Sequence, residues 1–90
     1  KMKEKKIIIP NKLGLHARAA AKIVTLTNKF KSIIEITNGD KKADAKSIMK
    51  ILMLAAPQGT EVKITASGKD ESAAIKSLEN LIKAKFNEES

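Results

Sequence analysis

His16 is the only histidine of this 90-residue chain. Gly14 stands two positions before it, and the single arginine, Arg18, two positions after it. Gly14 sits in a loop where the backbone turns without a Cβ penalty, and from Ala17 onward the apolar residues take a helical period. His16 therefore falls where the unbonded N–H groups of a first helical turn are directed at whatever the imidazole carries. A helix N-terminus stabilises an anion by about 0.3–1 kcal/mol, and by up to about 2 kcal/mol when the site is partly buried. Arg18 adds a planar fork suited to two phosphate oxygens at once. The same field disfavours the imidazolium, so the expectation is a ring kept neutral and nucleophilic. Such a set suits a histidine that accepts a phosphoryl group and surrenders it again. The spacing is equally compatible with an N-cap histidine beside a solvated cation. No carboxylate can be placed next to the ring from the sequence.

Ser47 precedes the run IMKILMLAA, and its hydroxyl is expected to accept from the orphan amides of a short helix as its N-cap. Ile48, Met49, Ile51, Leu52, Met53 and Leu54 point in nearly every direction around that helix, more than one sheet face covers. The residue is also suited to modification, since a phosphate of about −1.5 to −2 charges is tolerated at a helix N-terminus. It would oppose docking of an apolar or acidic partner on Ile48, Met49 and Leu52.

Composition narrows what else the chain does. With no cysteine, disulfide scaffolds, thiolate zinc sites, iron–sulfur clusters and cysteine nucleophiles are excluded, and one histidine rules out a multi-histidine metal site. No metal or cofactor is expected. The longest apolar runs fall short of the roughly 20 residues of a membrane span, and no signal peptide is read ahead of the first strand, so the expected location is cytoplasmic. A formal charge of +8 would suit a polyanion. The lysines are scattered, however, and only Phe30 and Phe86 could stack on a base, so nucleic-acid binding is not expected.

The elements that position these residues follow from period. KKIIIP reads as a strand ended by Pro10, and a helix follows with Ala20, Ile23, Val24 and Thr27 on one face and Lys22 toward water. SIIEIT alternates Ile34 and Ile36 against Glu35 and Thr37, and Asn38-Gly39 predicts a type I′ hairpin into a strand through Lys42 and Asp44. The Ser47 helix is expected to end at Pro57 and Gly59. TEVKITAS directs Val62, Ile64 and Ala66 inward, and a last helix carries Ala74, Ile75, Leu78, Leu81, Ile82 and Phe86 on its stripe. Asp70 and Glu71 complement the positive end of that helix, and Lys83 and Lys85 the negative end. The order β-α-β-β-α-β-α predicts an α+β open-faced sandwich, a four-stranded antiparallel sheet covered on one face by three helices. One domain over residues 1–90 is expected, with Lys1, ahead of Met2, adding nothing to the fold.

GLHARAA around His16, NGDKKADAKSIMK around Ser47 and QGTEVKITASGKDE before the last helix resemble the HPr family. These are the histidine-containing phosphocarriers of the bacterial phosphoenolpyruvate-dependent sugar phosphotransferase system. The resemblance runs from about Lys3 to Phe86. It implies that His16 takes a phosphoryl group on Nδ1 from phosphorylated enzyme I and passes it to IIA domains of sugar permeases, as a carrier and not an independent multiple-turnover enzyme. Arg18 would assist the phosphohistidine, and the amides of Ala17 and Arg18 would meet its oxygens. Ser47 would be the target of an HPr kinase/phosphorylase serving a catabolite-control regulator, with Ile48, Met49 and Leu52 as the docking surface. Ala19 stands where the family usually has proline, Leu13 where a small polar residue is frequent, and Lys50 and Ala55 where glycines are. These departures leave open a regulatory paralogue, such as a nitrogen-related phosphocarrier, signalling by protein binding. The expected state is a monomer, since transient docking needs only a small interface.

Overall fold

Alternation of inward apolar side chains with outward, mostly polar ones builds the sheet. In the computed structural model, which describes residues 2–88, the strands are β1 (Lys3–Ile8), β2 (Ile33–Asn38), β3 (Lys41–Asp44) and β4 (Glu61–Ser67). All neighbours pair antiparallel in the order β1-β4-β2-β3, which makes β1 and β3 the edges. Ile7, Ile34, Ile36, Ala43, Val62, Ile64 and Ala66 are buried under the helices α1 (Ala17–Thr27), α2 (Ile48–Met53) and α3 (Glu71–Lys83). The alternate residues Glu4, Lys6, Ile8, Ile33, Lys42 and Glu61 are exposed on the open face. From the helices, Ala20 and Ile23, Ile51, and Ala74, Leu78 and Ile82 complete the core. The predicted open-faced sandwich is the observed architecture. No helix among the described residues is long and apolar enough to cross a membrane. Lys1 lies outside the described residues.

Three local expectations are corrected. The hairpin turns on Gly39 and Asp40, because Asn38 already pairs with Lys41, and φ is positive at Gly39 (64°) but not at Asp40. That is the φ pattern of a type II′ turn, with glycine at the first central position, and not type I′. Asn38 is freed from the turn and donates through Nδ2 to the Leu54 carbonyl at 3.0 Å. Secondly, α2 stops before Pro57: Leu54 is its C-cap and Ala55 takes φ 49°, so an alanine occupies the left-handed residue that ends the helix.

Thirdly, Phe86 is buried but does not belong to α3. The helix ends at Lys83, and Lys85, Phe86 and Asn87 form a left-handed turn with φ of 55°, 57° and 60°. Left-handed backbone costs L-residues roughly 1–2 kcal/mol each. Full burial of the Phe86 ring, worth about 1.5–3 kcal/mol, offsets part of it. So do bonds from Asn87 N to Ala84 O (2.9 Å) and Glu88 N to Lys85 O (3.0 Å), and one from Lys22 Nζ to the Phe86 carbonyl. Lys22 accordingly turns to this carbonyl and not to free water.

Asp70 stands at the N-cap of α3 but makes no side-chain cap bond there. Its carboxylate instead accepts from Lys31 N (2.8 Å), Ser32 N (3.0 Å) and the Ser32 hydroxyl, tying the start of β2 to the start of α3. The Ser32 hydroxyl and then the Lys31 amide hold the Asp70 carboxyl below its ordinary value. The unfolded chain therefore takes up this proton first as pH falls, so the stabilisation is complete above about pH 4 and is lost below it. Thermal unfolding at pH 7 and pH 3 should show a smaller drop for Asp70→Asn than for the wild type. An equal drop in both would refute the assignment.

Candidate functional site

His16 is the N-cap of α1, with φ −81° and ψ −179°. Its carbonyl accepts from Ala20 N at 2.8 Å, and its Nδ1 accepts from Arg18 N at 3.3 Å. The ring edge carrying the Nδ1 lone pair thus faces the first-turn amide of Arg18, at the positive end of the helix. Arg18 is exposed and lines a groove between α1 and α3 with Lys22, Leu26, Leu81 and Asn87. Ala19, on the other side of the turn, is fully buried.

The loop before His16 is held by backbone. Gly14 at φ 66° is packed so closely that a Cβ there would lie 2.4 Å from the Ala56 carbonyl oxygen and 2.8 Å from Pro57 Cα. Leu15 N donates to that same carbonyl at 2.9 Å, and Gly14 N to Asn11 O at 3.1 Å. The histidine loop therefore rests on the segment that follows α2.

On the far side of the ring stands a residue the sequence did not disclose. Nε2 of His16 is hydrogen-bonded to Oε2 of Glu88, 72 positions away in sequence. The other oxygen, Oε1, accepts from Asn11 Nδ2 at 3.1 Å, and the same amide donates to Gly14 O at 2.9 Å. Burial pushes the Glu88 carboxyl up, but the hydrogen bonds from His16 and Asn11 and the charge of Lys22 outweigh it. The group lies below its ordinary value and is a carboxylate at neutral pH. Glu88 is thus the carboxylate neighbour that the sequence alone could not place. Glu88 follows a left-handed turn of non-glycine residues, which neither helical nor strand period announces.

Ser47 is the N-cap of α2, its hydroxyl accepting from Lys50 N at 3.2 Å, as predicted. Its loop is tied to the end of α1 through Thr27 Oγ1 donating to Ala45 O (2.8 Å), and to the segment after α1 through Lys46 Nζ donating to Phe30 O (2.8 Å). No hydrogen bond joins Ser47 to the His16 set among the described residues. Of the apolar residues around α2, Ile51 and Leu54 are core, and Leu52 is partly buried against it. Ile48, Met49 and Met53 remain exposed, at 39%, 69% and 65%. Met53, not Leu52, is thus the third open apolar side chain of this helix.

The profile of the PTS-HPr family, described as the PTS HPr component phosphorylation site, matches residues 3–84. The chain is 43% identical over 88 residues to a phosphocarrier protein HPr of Xylella fastidiosa, covering 98% of this chain and 99% of that protein. It is 42% identical to a phosphocarrier protein NPr of Shewanella violacea, covering 97% and 96%. Among solved structures, an HPr from Thermoanaerobacter tengcongensis superposes with a TM-score of 0.94 at 51% identity, over 98% of this chain and 99% of that one.

Proposed function

The chain belongs to the HPr family of phosphocarriers of the phosphotransferase system, and from that premise we propose that His16 is its phosphoryl-accepting residue. Phospho-enzyme I is the donor, and IIA domains of sugar permeases are the acceptors. The observation that supports this most directly is the division of the ring: Nδ1 faces the Arg18 amide while Nε2 is engaged by Glu88. With its proton on Nε2, the imidazole presents an unprotonated Nδ1 as nucleophile. The amides of Ala17 and Arg18 receive the phosphoryl oxygens, and the Arg18 guanidinium is within the same turn to bind them.

Incubation with phosphoenolpyruvate and catalytic enzyme I, read by intact mass, tests the reading. One added phosphoryl group, lost on acid treatment, supports it; an unchanged mass beside a second carrier labelled by the same enzyme I sinks it. Arg18→Ala should slow acceptance by about ten- to hundredfold without abolishing it, the worth of one or two charge-assisted hydrogen bonds. A rate within twofold of wild type in stopped-flow transfer would remove Arg18 from the site.

In this reading Ile48, Met49 and the partly buried Leu52 form the docking surface for these partners, on the helix whose following segment holds the His16 loop through the Leu15–Ala56 bond. Phosphorylation of Ser47 by an HPr kinase/phosphorylase sets a dianion against that surface and redirects the protein toward a catabolite-control regulator. The protein works in the cytoplasm as a monomer. A second reading, a regulatory paralogue signalling by protein binding, is favoured by the NPr relative, as similar to this chain as several HPr relatives are. Labelled protein that transfers to no sugar IIA domain but does transfer to a regulatory one would select it.

A further inference from the structure

We propose that Glu88 is a positioning residue for phosphoryl transfer, presented by the left-handed turn and Asn11 so that it holds the proton of His16 on Nε2 and stabilises the positive charge the ring acquires when Nδ1 is phosphorylated. This rests on the phosphocarrier reading and names how the same site is tuned. Two contacts converge on one carboxylate that belongs to neither α1 nor its loop, and a third holds the turn that presents it. Asn11, fully buried, fixes Oε1; His16 Nε2 engages Oε2; and the Lys22 ammonium clasps the Phe86 carbonyl two residues upstream. Backbone held in the left-handed region at three successive residues is sustained only where the surroundings determine it, and here it delivers Glu88 to the ring.

The chemistry requires no proton to move. Nδ1 attacks phosphorus with its lone pair, the Nδ1–P bond forms, and the bond between phosphorus and the donor protein breaks, its electron pair leaving with the donor. The ring, still protonated on Nε2, becomes a phospho-imidazolium. Its positive charge is then paired with Glu88, as a buried carboxylate orients and stabilises the imidazolium of a catalytic triad. On transfer to an acceptor, the Nδ1–P pair returns to the ring and the same Nε2–H remains. Of the charged groups around the site, Glu88 is hydrogen-bonded to Nε2, the charge of Lys22 acts on Glu88, and Arg18 lies two residues along the chain from His16; Asn11 contributes an uncharged amide.

Glu88→Gln retains an oxygen for Nε2–H and removes the charge. Its rate of phosphoryl acceptance at saturating donor should fall about tenfold, with the half-saturating donor concentration unchanged. Phospho-imidazole hydrolyses faster once Nε2 is protonated, so the pH below which the phosphoprotein loses its group quickly should move down by about one pH unit. A merely structural role would lower the unfolding temperature and the rate together and leave that pH profile where it is. Lys22→Gln, which frees the turn at its carbonyl, should reproduce the rate loss more weakly, and added mass on the wild-type protein is the control. Wild-type protein labelled on His16 while Glu88→Gln matches it in rate and hydrolysis profile overturns this proposal alone. Wild-type protein that takes no phosphoryl group overturns the phosphocarrier reading and this one with it.

Discussion

His16→Ala should end phosphoryl acceptance, a fall of more than about a thousandfold, in a protein that remains folded. No second histidine is present to take the group, so a loss that was only partial would place the accepting residue elsewhere. Folding should suffer, but modestly. The substitution removes an N-cap side chain that accepts from Arg18 N, at a typical cost of about 1 kcal/mol. It also takes one of two partners from Glu88, while Asn11 still holds the other oxygen. Intact mass and thermal unfolding on the same sample separate the two effects. Unfolding at room temperature would mean that the ring is structural first and chemical second.

Gly14→Ala is expected to be the most damaging single methyl group near the site. The residue lies at φ 66°, where an L-side chain costs about 1–2 kcal/mol. Its Cβ would meet backbone atoms, Ala56 O at 2.4 Å and Pro57 Cα at 2.8 Å, which cannot swing aside as a side chain would. Overpacking of that kind adds about 1–3 kcal/mol. A total of about 3 kcal/mol lowers the melting temperature of a domain this small by about 10–20 °C. The clash falls on the carbonyl that binds Leu15 N, so the His16 loop must lift from the segment after α2. Acceptance by the folded fraction should fall as well. A melting temperature within a few degrees of wild type would show that the loop yields more easily than its packing implies.

The sequence made legible whatever is periodic or local. Alternation in SIIEIT and TEVKITAS placed β2 and β4 with the correct inward residues, and the Ala20, Ile23, Thr27 and Ala74, Leu78, Ile82 spacings placed the buried sides of α1 and α3. His16 and Ser47 as N-caps were readable because a cap is a relation within three residues. The hairpin was misread because Asn38 is recruited by Leu54, a tertiary bond that shifts the turn by one residue. Phe86 fits the helical stripe in sequence, yet the chain leaves the helix to bury it, so period predicted the burial and not the backbone. Asp70 reads as a cap and serves a loop 38 positions away. Glu88 was beyond reach for the same reason: its role exists only once the chain end has crossed to the start of α1.

The sheet closes on neither side, and its two open edges carry Lys3, Lys5 and Lys6 on β1 and Lys41 and Lys42 on β3. An unpaired edge is a template for strands of other molecules, and lysines along it make that addition costly. The +8 charge that first suggested a polyanion partner thus doubles as insulation of these edges, each copy repelling the next. Such repulsion reaches only about 10 Å in 0.1 M salt and about 3 Å in 1 M. Concentrated brine, rather than dilution, is therefore the condition under which the edges of neighbouring molecules begin to find one another.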